Sequence, residues 1–251
     1  MAAQAPPART PARSRLPRAQ REQQVLDIAH ARFAAHGYGA VTMEEVAAAA
    51  GVTKPLLYAY FGNKERLYLA CLARAAEAML ATVSDAVRSA GDPAEALRRG
   101  LRAFFAFVDD DRDAWRVLFD ETLPAGGEIA ARVSQYRERL LDFVAHTLIA
   151  RVPASHREHV SIEIEALSTA VLGAAEALAR WWLHSGAIPA HDAAELLIAT
   201  VEPGLQARAA GRGGGGRAAR PGRGDGPAEQ PEPATGRAGG SGDGAGRGGR
   251  L

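Results

Sequence analysis

Apolar residues recur at three- and four-residue intervals from about residue 18 to residue 208, the spacing of amphipathic helices, and no segment reads as a strand. The first helix, over 18–35, sets Val25, Ile28, Ala29 and Phe33 on one face, and a bend follows at His36-Gly37-Tyr38-Gly39. Thr42 stands three residues before Glu45, so each side chain can satisfy an orphan amide at the start of a helix over 43–50 anchored by Val46. Gly51 supplies a left-handed residue to end it, Thr53 caps the next helix and Pro55 lies in that helix's first turn. Asn63 caps a long helix over 64–89, and Asp92-Pro93-Ala94-Glu95 opens another that carries Leu97, Leu101, Phe104, Phe105 and Val108. The acidic run 109–113 reads as a solvated helix start, followed by a short aromatic-rich helix over 114–123 that stops at 124–127. A helix over 128–152 is ended by Pro153, and Ser155 with Glu158 forms a capping box for a helix reaching Ser185. Asp192 and Glu195 cap the last helix, which Pro203-Gly204 should kink or end near Glu202. The fold class is all-α.

Composition adds boundaries. Residues 1–17 contain Pro, Ala and Arg but no acidic residue and read as a disordered basic arm, either a solvated tail or an arm that reaches DNA. From 209 to 251 the chain is dominated by Gly, Arg, Ala and Pro, too poor in apolar surface to order itself; it reads as a flexible extension or a nucleic-acid-binding tail. Between them lie segments 18–68 and 69–208. The net charge of +1 hides an asymmetry: residues 1–68 carry nine Lys/Arg against five Asp/Glu, 69–208 carry fourteen against twenty, and 209–251 carry seven against four. A positive end beside an acidic body suits binding of a polyanion. The chain has two lysines, Lys54 and Lys64, both inside the first folded segment. One cysteine, Cys71, excludes an internal disulfide. No apolar run reaches bilayer length and the N-terminus lacks a hydrophobic signal core, so no membrane partner is expected.

Two short helices joined through Gly51 make a helix-turn-helix, whose second helix enters the major groove. Gly51-Val-Thr-Lys-Pro-Leu-Leu-Tyr-Ala-Tyr-Phe-Gly-Asn-Lys-Glu-Arg-Leu67, preceded by His36-Gly-Tyr-Gly39 and Val41-Thr42, resembles the signature of the TetR family of bacterial transcriptional regulators. The resemblance covers about fifty residues. It implies an N-terminal three-helix helix-turn-helix DNA-binding domain (18–68) and a C-terminal helical effector-binding and dimerisation domain (69–208). The partners it implies are a double-stranded DNA operator, a second copy joined through the last two long helices, and a small-molecule effector. The setting is the bacterial cytoplasm, at the nucleoid, and the mode most often repression. An architectural DNA-binding protein without an effector is the alternative.

Lys54 at the helix start can reach base edges or phosphate, Thr53 can cap and touch phosphate, and Pro55 and Leu56 can press on thymine methyls. The resemblance carries over Thr42, Tyr58 and Lys64 as phosphate ligands and Tyr60 as a groove or phosphate contact. Leu57 and Phe61 belong to the core, and Ala59 departs from the bulkier residue often found there, so it reads little. For dimerisation, Leu167, Ala170, Val171, Ala174, Ala177 and Leu178 form one stripe, with Leu196, Leu197 and Val201 facing it. For the effector pocket, candidate walls are Phe104, Phe107, Trp115, Phe119, Tyr136, Phe143 and Trp181, and candidate polar groups are Glu121, His146, Glu176 and Arg180. A chiefly apolar lining suits a hydrophobic or amphipathic ligand. No cofactor, metal or catalytic group is expected: the seven histidines are scattered, His156 and His159 beside Glu158 read as exposed helix-start residues, and no nucleophile or nucleotide motif occurs.

Overall fold

The computed structural model describes residues 17–213; the expected arm before 17 and the tail from 214 lie outside the described residues. Helix α1 (Arg18–Ala40) is broken at Gly37, whose φ of 75° and ψ of 164° make the predicted bend. Helices α2 (Met43–Ala49) and α3 (Lys54–Phe61) meet across Gly51, which takes the expected left-handed φ of 62°. Then come α4 (Lys64–Arg88), α5 (Pro93–Asp110), α6 (Arg112–Leu118) and α7 (Gly127–Ile149). A 3-10 turn over Ala154–His159 leads to α8 (Ser161–Ser185) and α9 (Ala190–Gly213). No strand occurs among the described residues.

The predicted caps of α2, α4 and α5 form. Thr42 Oγ1 accepts from Glu45 N while Glu45 accepts from Thr42 N. Asn63 accepts from Arg66 N, and Asp92 accepts from Ala94 N and Glu95 N. Five expectations need correction. Thr53 occupies the cap position of α3 but makes no side-chain cap bond. The aromatic helix begins at Arg112, because Asp111 accepts from Ala114 N, and ends at Leu118, because Asp120 is recruited by the α1 bend. Ser155 and Glu158 do not open the long helix: Arg157 turns back to donate to Val152 O, the segment is 3-10, and α8 starts at Ser161. Asp192 lies inside the first turn of α9, and Glu195 pairs with Arg102 at 2.6 Å instead of capping. Finally, α9 runs through Pro203 to Gly213, so helix also takes in the first residues of the expected tail. Buried Leu205 and the Arg151–Glu202 pair at 2.6 Å hold it on either side of the proline and offset the roughly 3 kcal/mol cost of proline inside a helix.

One apolar core runs from Val25 on α1 to Leu205 on α9. Helix α4 is long and apolar enough to cross a bilayer by length and composition, which corrects the expectation that nothing in the chain is. It is instead packed against α1, α5, α6 and α7, with Leu67, Tyr68, Cys71, Leu72 and Met79 buried. Burial pushes the Cys71 thiol up to about 12, so it stays protonated and unreactive.

Candidate nucleic-acid interface and ligand cavities

The expected reading helix shows the division between core and outward face that its sequence demands. Leu57 is fully buried against Val46 and the rest of the head core, and Phe61 is half-buried against it. Thr53, Lys54, Pro55, Leu56 and Tyr58 are exposed; Leu56 at 37% and Tyr58 at 41% are large apolar groups left in water on one short helix. Lys54 Nζ is paired with Glu44 of α2 and lies 5.9 Å from the centre of the Tyr58 ring. The hydrogen bond to Glu44 raises the Lys54 pKa and the reciprocal bond lowers that of Glu44. Sequence reading missed Glu44, which engages the Lys54 ammonium from the neighbouring helix. It also missed Arg18, whose guanidinium sits 5.5 Å over the half-buried Tyr60 ring and adds a cation beside that side chain.

Lys64 packs on the bend of α1, and Thr42 opens α2 just after that bend. Thr42 is exposed at the start of α2 with its hydroxyl in the capping box. Lys64 Nζ lies 4.5 Å from the Tyr38 ring and donates to Gly39 O at 3.3 Å. The same short segment is gripped from the other side by the α6–α7 connection. Asp120 Oδ2 accepts from Tyr38 N at 2.5 Å, and Thr122 Oγ1 accepts from Gly39 N at 3.1 Å. Asp120 Oδ1 in turn accepts from Thr122 N at 2.8 Å and from its hydroxyl at 2.7 Å, which fixes the pair. A Cβ at Gly37 would fall 2.7 Å from Thr122 Oγ1, and φ there is positive, so this close approach requires glycine. Beneath it, Tyr38 and Phe33 pack edge-on against Tyr68 at 5.1 and 5.0 Å, and the buried Tyr68 hydroxyl donates to Val117 O of α6 at 2.6 Å. Burial pushes both tyrosine phenols upward, so they remain neutral. His30, buried in α1, has no hydrogen-bond partner on Nδ1 among the described residues; burial, followed by the charge of Arg74, lowers its pKa and keeps it neutral at the seam with α6.

The expected pocket residues divide among three neighbouring spaces. Phe104 and Phe143 line an apolar void of about 40 Å³ with Leu97, Leu101, Leu140 and Leu172. Phe119, Tyr136 and Glu176 line a second of about 110 Å³ that shares Leu140 as a wall. Trp115, Phe119, Glu121 and Arg180 line an open cleft of about 470 Å³ between the α1 bend, α6 and α8. The first two are smaller than the roughly 300–1,000 Å³ of a drug-sized site, so filling them requires side chains to move. Phe107 is buried but lines none of these spaces. Two further candidates are displaced: Trp181 is 49% exposed on α8, one residue from buried Trp182, and His146 is exposed with Nδ1 on Asp142 O. Glu176 is buried and held through both oxygens by Arg137 at 2.6 Å, and Arg180 pairs with Glu121 at 3.2 Å.

On the outer face of α8 and α9, Ala170, Ala177 and Leu196 are exposed, joined by Ile162 at 81% exposure and by Trp181. Leu167, Ala174, Leu178 and Val201 are half-buried, whereas Val171 and Leu197 are buried within the chain and drop out of the expected outward stripe.

With this geometry in view, residues 25–71 match the family of bacterial regulatory proteins called the tetR family, and residues 93–202 match a tetracyclin repressor-like C-terminal domain. The chain is 34% identical over 175 residues to the HTH-type transcriptional activator FasR of Mycolicibacterium smegmatis, covering 68% of this chain and 76% of the relative. It is 28% identical over 148 residues to the HTH-type transcriptional repressor AcnR of Corynebacterium efficiens, covering 58% of this chain and 72% of the relative. A crystal structure of a TetR-like transcriptional regulator from Rhodococcus sp. RHA1 superposes with a TM-score of 0.63 at 34% identity, covering 76% of this chain and 99% of that one. The chain belongs to the TetR family of DNA-binding transcriptional regulators.

Proposed function

We propose that the chain is a ligand-responsive regulator that binds a palindromic operator as a homodimer and changes its hold on DNA when a hydrophobic or amphipathic small molecule enters the body, residues 69–208. It would act in the bacterial cytoplasm, at the nucleoid, through the head of residues 18–68. The observation that carries this reading is the outward face of α3, where Thr53, Lys54, Pro55, Leu56 and Tyr58 are exposed around a buried Leu57. On DNA, Thr42, Tyr58 and Lys64 grip phosphates, Tyr60 lies along the groove wall, and Lys54, Pro55 and Leu56 meet base edges, with Thr53 on the adjacent phosphate.

One head of this size buries too little surface for tight specific binding, which argues for two. The exposed apolar positions Ile162, Ala170, Ala177, Trp181 and Leu196 supply the self-complementary surface, with α8 and α9 packing against the partner's pair. The two heads then bind half-sites about one helical turn, roughly 34–36 Å, apart. An effector that prefers the other head spacing lowers operator affinity by its differential affinity for the two states. Repression results where the operator overlaps a promoter. Activation, the mode in the name of the 34% identical relative, results where it lies upstream.

Genome-wide mapping of the DNA bound by the protein tests this. A shared palindrome at a few promoters is the expected result. Many dispersed sites with no common palindrome would instead make it an architectural DNA-binding protein.

A further inference from the structure

The open cleft between the α1 bend, α6 and α8 is chemically unlike the two voids behind it. Its floor is aromatic: Trp115 and Phe119 stack at 3.9 Å, with Phe33 beside them. Its rim carries Arg112, Arg116 and Arg180, with His36 and His184 next to them, against Asp120 and Glu121. Of these carboxylates, Asp120 is engaged by two backbone amides and a hydroxyl. The arginines are only loosely committed. Arg112 and Arg116 pair with exposed Asp109 and Asp113 one turn away, and Arg180 with Glu121, which is 79% exposed. Exposed pairs of this kind are worth little, so the guanidinium groups of Arg116 and Arg180 are free to turn to a better anion, whereas Arg112 also lies 5.5 Å over the Trp182 ring.

Phe119 is the common wall of this cleft and the second void, and Leu140 is the common wall of the second void and the first. Phe119 follows the end of α6 in non-helical backbone, and its ring rests on Trp115 of the last helical turn. The interior beyond it is apolar, and its one cation, Arg137, is already neutralised by Glu176.

The geometry points to an anionic amphiphile as the ligand: its phosphate or carboxylate head lies in the cleft on Arg112, Arg116 and Arg180, and its hydrocarbon tail passes Phe119 into the voids lined by Leu140. This deepens the ligand-responsive reading above and rests on it. The head group then sits beside Asp120 and Thr122, the two residues that hold Tyr38 and Gly39, so occupancy acts directly on the joint between body and head.

The test uses the full chain without DNA and calorimetric titration with dodecyl phosphate, kept below its micelle concentration. Dodecyl glucoside, with the same tail and no charge, and inorganic phosphate, with no tail, serve as comparisons. One dodecyl phosphate should bind per chain, about tenfold or more tighter than the glucoside, as charge-assisted bonds to the head require. In Arg116→Ala/Arg180→Ala that preference should collapse while glucoside binding is unchanged. Arg180→Gln alone should give a partial loss if the double variant does not fold. Equal binding of the two amphiphiles, inorganic phosphate binding as tightly as dodecyl phosphate, or uptake of many molecules per chain would each overturn the inference. Because DNA is absent, failure here is distinct from failure of operator recognition.

Discussion

Replacing Asp120 with alanine removes the carboxylate that joins the body to the head. Its Oδ2 accepts from Tyr38 N at 2.5 Å, and its Oδ1 orients Thr122, which accepts from Gly39 N at 3.1 Å. A hydrogen bond to a charged group contributes about 1.5–3 kcal/mol, and at this half-buried site water can replace part of it, so a loss of about 1–1.5 kcal/mol is expected. For a chain of this size that lowers Tm by roughly 2–6 °C, read by circular dichroism. The same loss has a functional consequence, because Tyr38 and Gly39 also carry Lys64. Operator affinity, measured by fluorescence anisotropy, should fall by up to about tenfold, the equivalent of 1.4 kcal/mol. The effector should also shift that affinity less than in the wild type. Asp120→Asn keeps one acceptor oxygen and should fall between. A Tm within about 1 °C of wild type together with unchanged operator affinity and unchanged ligand response would refute the idea that this joint couples the two parts.

Lys64→Ala should weaken binding on every operator variant and reduce the slope of log K against log salt by about 1, measured by anisotropy across a salt series. Lys54→Ala should relax preference at one base position by roughly 1–3 kcal/mol; uniform loss across operator variants would mean that Lys54 touches only phosphate. Burial pushes the Glu202 carboxyl up, but hydrogen bonds from Arg151 and Gln206 and the charges of Arg151 and Arg98 outweigh it, leaving its pKa lowered. Its contribution to stability is therefore full above the unfolded glutamate pKa of about 4.3 and is lost as pH falls through the lower folded value. Urea midpoints should show Glu202→Gln less stable than wild type near neutrality, with the gap narrowing below about pH 4; a constant gap would show that this carboxylate does not govern the acid limb.

The head was legible because its determinants are local. Thr42 with Glu45, Asn63 with Arg66 N and the left-handed Gly51 each act within a few residues, and each forms as the sequence predicts. Local signals failed where a distant partner outbid them. Asp120 ends α6 by bonding to Tyr38, 82 residues away, and Glu195 leaves its cap role for Arg102, 93 residues away. The pocket was the least legible part because helical spacing alone cannot orient adjacent aromatics. Trp182 is buried with its indole donating to Ile188 O at 2.7 Å, while Trp181 beside it faces outward. The cleft draws its wall from α1, α6, the α6–α7 connection and α8, segments with no common sequence pattern.

The central claim, that two copies of the exposed α3 face read one palindrome, is tested most directly by anisotropy titration of the mapped operator against a single half-site at several salt concentrations. The account predicts two chains per full site, a half-site bound far more weakly, and a steeper salt dependence for the full site because twice as many phosphates are neutralised. Equal affinities and equal salt slopes on full and half sites would contradict it.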